Sequence, residues 1–111
     1  MLVLFVCTAN RLRSPTAAAL FRDWPGIEAL SAGTDPAAPR PLTRELVARA
    51  DVIFAMEAHH RERIRRKFKN RPPDDRIITL HIPDAFERDQ PELIVLLEQR
   101  VTPRLRSLLR V

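Results

Sequence analysis

One stretch of this sequence has the residue types and spacing for covalent chemistry on a phosphate: Cys7-Thr8-Ala9-Asn10-Arg11-Leu12-Arg13-Ser14-Pro15. It follows an apolar run and leads into a helix start. A loop of this length, entering a helix N-terminus, turns successive backbone N–H groups into one concavity and so favours an anion. Arg13 adds a planar, permanently charged fork that can hold two phosphate oxygens. Beside such a cationic nest a thiol loses its proton readily, and Cys7 becomes a nucleophile. The plain alternative is a small buried hydrophobe at a strand end, the usual use of a lone cysteine. Seventeen of the 111 residues are arginine and nine are serine or threonine. Arg and Ser/Thr would therefore fall six and seven places after a cysteine at about one cysteine in eighty. The phosphate-loop reading is preferred.

Cleaving a phosphate monoester needs three things: a nucleophile, charge stabilisation on the phosphoryl oxygens, and an acid for the leaving oxygen. Thiolate Cys7 would attack phosphorus in line and form a phosphocysteine. The N–H groups of residues 8–13 and the Arg13 fork would hold the equatorial oxygens, a task that other enzymes give to magnesium. No metal or other cofactor is then expected. The candidate acid is Asp84, which afterwards would activate water. By position alone it is equally a turn residue following Pro83. Ser14 would hydrogen-bond Cys7 and steady the thiolate, or act as a plain N-cap, and Asn10 would take the left-handed conformation that asparagine tolerates.

These groups need a frame that brings them together. Residues 1–6 predict a short buried strand, and 14–22 a helix with Ser14 as cap and Pro15 at its first position. Residues 27–32 make a second strand, and three prolines leave 35–41 as a loop. Thr43 caps a short helix, 52–56 is a third strand, and 57–69 a basic helix with an apolar edge of Ile64 and Phe68. A fourth strand covers 77–82. Asp89 and Glu92 carry a capping-box pattern before the last helix, which Pro103 should kink or divide. Alternating strands and helices imply a parallel sheet with right-handed crossovers. Cys7 and Asp84 both follow strands, and so belong to the carboxyl edge where such sheets bind ligands.

Val3-Leu4-Phe5-Val6-Cys7, Asn10, Arg13-Ser14-Pro15 and Ala17 resemble the loop of the low-molecular-weight protein tyrosine phosphatases. Further blocks follow in the family's order: Ser31-Ala32-Gly33-Thr34, Ala50-Asp51-Val52-Ile53-Phe54-Ala55-Met56-Glu57 and Ile82-Pro83-Asp84-Ala85-Phe86. The resemblance covers most of the chain. It implies a three-layer α/β sandwich around a four-stranded parallel sheet in the order 2-1-3-4, with residues 1–111 as one domain. It further implies Cys7, Arg13 and Asp84 as catalytic residues, with Thr8, Ala9, Asn10, Arg11, Leu12 and Ser14 forming the phosphate site. Phe86 would flank the substrate or pack its loop.

Five positions depart from the family pattern. Leu12 stands where many members carry a second cysteine, Ala9 replaces a glycine, and Ala85 replaces a proline. Thr8 and Arg11 occupy places where the family usually sets apolar walls for a phenyl ring. The segment before Asp51 is also short.

Composition sets outer bounds. The chain is 45% apolar, enough for one folded core, and carries a formal net charge of +5. Its first six residues are too few for a signal-peptide core, and no run approaches a membrane span. A single cysteine and no Cys/His zinc spacing point to a reducing cytoplasm and no metal site. His59 and His60 are adjacent and should diverge on a helix, and His81 lies within a strand. The cluster Arg61, Arg63, Arg65, Arg66, Lys67 and Lys69 reads as a solvated face rather than a nucleic-acid surface. The expected partner is a phosphorylated substrate, such as a phosphotyrosine protein, with no membrane involved. Arsenate reduction with an external thiol, and a silent phosphate- or nucleic-acid-binding module, are the competing functions. Retention of Cys7, Arg13 and Asp84 together speaks against a silent site.

Overall fold

Leu2–Cys7 forms β1, every residue of it buried, and the rest of the fold is built on its two faces. In this computed structural model, which describes residues 1–110, β1 pairs in parallel with β2 (Glu28–Gly33) on one side and β3 (Val52–Ala55) on the other. A short β4 (Ile77–Thr79) adds beyond β3, giving a parallel sheet in the order β2-β1-β3-β4. Four helices cover it: α1 (Arg13–Phe21), α2 (Arg44–Arg49), α3 (Ala58–Lys67) and α4 (Pro91–Leu109). Strand periodicity divides the apolar residues between two layers. Val3, Phe5 and Cys7 point into the larger core with α1 and α4, whereas Leu4 and Val6 point into a smaller one with α2 and α3. Phe5 stacks between Phe21 and Phe54, at centroid distances of 5.8 and 5.5 Å.

The three-layer architecture and strand order agree with expectation, and several local details do not. Helix α1 begins at Arg13 with Leu12 at its cap, so Ser14 lies inside the first turn and its hydroxyl is directed elsewhere. Strand β4 ends at Thr79 because His81 takes a left-handed φ of 56° and stands exposed beyond the strand. The capping box at Asp89 and Glu92 does not form. Asp89 has a φ of 60°, Gln90 holds the cap position, and Pro91 opens the helix. Helix α4 runs on through Pro103 undivided. The predicted Thr43 cap is present, its hydroxyl accepting from the Leu46 N–H at 3.1 Å. Ile64 and Phe68 of α3 are buried in the smaller core. Among the described residues no helix is long and apolar enough to cross a membrane.

Candidate active site

At the carboxyl edge of β1 the chain leaves the sheet and bends through residues 8–12 before entering α1. Asn10, at φ 57°, makes the left-handed step that closes this bend. Among the described residues, none of the backbone N–H groups from Thr8 to Leu12 donates a hydrogen bond. Successive N–H groups turned into one concavity suit an oxyanion. The bend lines a concavity of about 300 Å³ together with Cys7, Arg13 and Asp84.

A chain of hydrogen bonds sets the inner side chains. The Arg40 N–H donates to Asn10 Oδ1 at 3.2 Å, and Asn10 Nδ2 donates to Ser14 Oγ at 3.0 Å. Ser14 Oγ stands 3.0 Å from Cys7 Sγ. Asn10 occupies one of the hydroxyl's two lone pairs, and the Ser14 proton can be given to a Cys7 thiolate, which is nearer than the alternative acceptor, Ala32 O at 3.4 Å. The loop from Gly33 to Arg40 braces the outside. Thr34 and Asp35 donate to the carbonyls of Cys7 and Thr8 at 2.9 and 3.0 Å. A Cβ on Gly33 would lie 2.5 Å from Thr8 O, so this close approach requires glycine.

Arg13 is 3% exposed. Its Nη1 donates to Ile82 O at 2.8 Å and lies 3.0 Å from Glu57 Oε1. Nε and Nη2 make no hydrogen bond among the described residues, which leaves one edge of the fork for a phosphate. Asp84 Oδ1 lies 3.9 Å from Nε, on a carboxylate 67% exposed. Phe86 is half-buried against the larger core and does not line the 300 Å³ concavity, so it packs the loop. Thr8, Ala9, Arg11 and Leu12 do line it.

Two residues beside the loop escaped the sequence reading. Burial pushes the Glu57 carboxyl up, but the bonds and charges of His59 and Arg13 outweigh it and hold it below the usual range. Glu57 is thus an ionised buttress for Arg13. His60 is fully buried, and burial, reinforced by the positive charges of His59 and Arg13, pushes it down to about 4. It is therefore neutral. The Glu57 N–H donates to its Nδ1 at 3.0 Å, which puts the remaining proton on Nε2. Nε2 donates to Thr8 Oγ1 at 2.8 Å, and the Thr8 hydroxyl keeps its own proton for another acceptor. The one hint in the sequence was that Glu57 follows β3, at the same sheet edge as Cys7.

The two adjacent histidines do not diverge as expected. His59 bonds Glu57 Oε2 while His60 folds back to cap α3, which brings their rings to 4.0 Å. Glu57, His59 and His60 could thus meet around a metal ion. Each donor is already engaged, however: both nitrogens of His60, and the Glu57 oxygens by Arg13 and His59.

The chain is thus a parallel α/β sandwich whose central strand ends in a Cys-x5-Arg-Ser bend of unpaired amides. Among solved structures the chain resembles a low-molecular-weight protein tyrosine phosphatase from Bacillus subtilis, at 27% identity over 99% of this chain and 100% of that one, with a TM-score of 0.73. The YwlE arginine phosphatase from Geobacillus stearothermophilus matches at 26% identity over 96% and 93% of the two chains, with a TM-score of 0.71. The tyrosine phosphatase Wzb from Escherichia coli, solved in complex with phosphate, matches at 27% identity over 98% of each chain, with a TM-score of 0.70. No protein-family model and no curated protein matches the sequence. Over nearly its whole length the chain has the fold of the low-molecular-weight protein tyrosine phosphatases and resembles them.

Proposed function

We propose that the chain is a cysteine-dependent phosphate monoester hydrolase acting on phosphorylated protein, working through a phosphocysteine. What carries this reading is the juxtaposition of Cys7 with the unpaired N–H groups of residues 8–12 and the free edge of Arg13. The Cys7 thiolate attacks phosphorus as the bond to the leaving oxygen breaks, and Asp84 gives that oxygen its proton. The developing charge on the equatorial oxygens falls on donors already in place, so little reorganisation is needed. Ser14 donates to Cys7 Sγ, steadying the sulfur as a thiolate before attack and again as it leaves. In the second half Asp84, now a carboxylate, takes a proton from the attacking water. The S–P bond breaks, inorganic phosphate departs, and the thiolate is restored.

Relatives of this fold include phosphatases described for tyrosine and for arginine. Arg11, exposed at the mouth of the concavity, disfavours a cationic guanidinium leaving group and favours a phenol. The test is hydrolysis of p-nitrophenyl phosphate in the presence of EDTA. Wild type should turn over and yield an acid-stable phosphoenzyme on rapid quench. Cys7→Ser should lose turnover while still binding vanadate. Robust hydrolysis by Cys7→Ser, or a wild type that needs added magnesium, would overturn the mechanism.

A further inference from the structure

Beside the concavity at Cys7 runs a second, larger groove of about 540 Å³, between α1 and β2 and edged by Pro39, Arg40 and Arg88. Arg11 belongs to both, so a substrate seated over Cys7 passes Arg11 on its way into the groove. Three more arginines line it, Arg22, Arg40 and Arg88, and no carboxylate does. Its floor includes Leu30 and Pro39.

Around α3 several arginines are engaged: Arg65 and, beyond the helix, Arg71 pair with Asp74, and Arg61 donates to the carbonyls of Ile77 and Asp74, while Arg63 and Arg66 have no ion pair among the described residues. In the groove, Arg11, Arg22 and Arg40 have no ion pair among the described residues. Arg88 has only its exposed neighbour Asp89, at 4.0 Å. Four guanidinium groups gathered in one concavity repel one another and concentrate a positive field, which an anionic ligand relieves. Each is a fork that suits a carboxylate.

We propose that this groove holds acidic residues flanking the phosphorylated side chain of a polypeptide substrate. The proposal rests on the phosphatase reading and names its substrate class: acidic phosphopeptides. An extended peptide suits a groove that starts at the catalytic mouth, with its backbone over Leu30 and Pro39 and its carboxylates on the arginines. The contacts are exposed and individually weak, so selectivity comes from their number and fades with salt.

The test compares two phosphotyrosyl peptides of equal length, one with glutamate on both sides of the phosphorylated residue and one with glutamine. Wild type should prefer the glutamate peptide about tenfold in kcat/KM at low salt, an effect of two or three exposed ion pairs. The preference should shrink as salt is raised. The double variant Arg22→Glu with Arg88→Glu should lose or reverse it, while its kcat/KM on p-nitrophenyl phosphate stays at the wild-type level. A preference absent from wild type, or intact in the double variant, would overturn the proposal. So would an equal arginine dependence in hydrolysis of inorganic pyrophosphate, which would make the groove a site for small polyanions. Phosphonate versions of the same two peptides, followed by fluorescence anisotropy, need no turnover. If p-nitrophenyl phosphate is not hydrolysed, the phosphatase reading fails, yet the anisotropy difference still decides whether the groove selects acidic chains.

Discussion

The bend of residues 8–12 and the loop carrying Asp84 line the same concavity, yet they are held in opposite ways. The first is gripped from three sides. Thr34 and Asp35 donate to the carbonyls of Cys7 just before it and of Thr8, Gly33 presses against Thr8 O, and His60 donates to the Thr8 hydroxyl. The second is mostly exposed from Pro83 to Asp89 and is fastened by few contacts. Phe86 rests on the core, and the Asp89 N–H donates to Thr16 Oγ1 at 3.0 Å. The difference separates two demands of the proposed reaction. Groups that meet developing charge on phosphorus must not reorganise. The group that meets a variable leaving oxygen has to accommodate it, and a lightly fastened loop allows that.

The broadest effect, on every substrate alike, tests the rigid half. Arg13→Lys keeps a charge but loses the free edge of the fork, and an ammonium cannot bridge two oxygens. Its kcat should fall by about 10²–10³ on every substrate alike, in the range seen when one oxyanion donor is removed. A variant retaining near-wild-type kcat would mean that Arg13 serves only to tie Ile82 and Glu57 together. Asp84→Asn tests the looser half and should behave differently. Phenyl phosphate, a poor leaving group, should lose about 10²–10⁴ in rate. The loss on p-nitrophenyl phosphate should be far smaller, because that leaving oxygen needs little protonation. Equal losses on both substrates would sink Asp84 as the acid and turn the search to Glu87 and Asp89 in the same loop.

The same contrast explains what the sequence made legible. The buried first strand and the bend after it follow from local patterns: an apolar run, a Cys-x5-Arg-Ser spacing and an asparagine able to adopt positive φ; the strand order comes only from the family resemblance. Long-range hydrogen bonds leave no such pattern. Nothing near His60 in sequence announces a bond to Thr8, 52 residues away. Nor does Thr16 announce one to Asp89, which instead joins with Glu92 in a false capping signal. Ser14 was read both as a cap and as a partner for Cys7; its hydroxyl stands within reach of the sulfur because Leu12 takes the cap position. The histidine pair departs from helical divergence because a capping box turns His60 back into the protein.

His60 supplies a pH-dependent way to loosen only the braced side. It is pushed down to about 4 in the fold, against an ordinary value of 6.5. Between those two values the unfolded chain takes up a proton that the folded chain refuses. Stability is therefore complete above about pH 6.5 and falls as the pH drops towards 4, by up to roughly 3 kcal/mol. Urea unfolding at pH 7 and pH 4.5 should show most of that loss in wild type. His60→Asn should be less stable at pH 7 but lose much less on acidification. An identical pH slope in the two proteins would mean that His60 is not the group responsible.

The smallest effect concerns a hydrogen bond by which the Asp84 loop is tied to α1. Thr16 Oγ1 donates to Leu12 O at 2.7 Å and accepts from the Asp89 N–H, so one hydroxyl links the end of the phosphate bend to the end of the acid loop. Thr16→Val keeps the shape and removes both bonds. Thr16 is almost fully buried, so the two abandoned groups should cost about 1–3 kcal/mol of stability, read as a lower urea midpoint. Because Asp84 lies five residues from the anchor, the kinetic cost should appear in protonation of the leaving group rather than in binding. The expected loss in kcat is about threefold to tenfold on phenyl phosphate, with KM unchanged and p-nitrophenyl phosphate barely affected. Combined with Asp84→Asn, the same substitution should add almost nothing, since a loop that has lost its acid gains nothing from being positioned. Full additivity in that double variant would show that Thr16 acts on the phosphate bend instead, and that the two loops are not coupled through it.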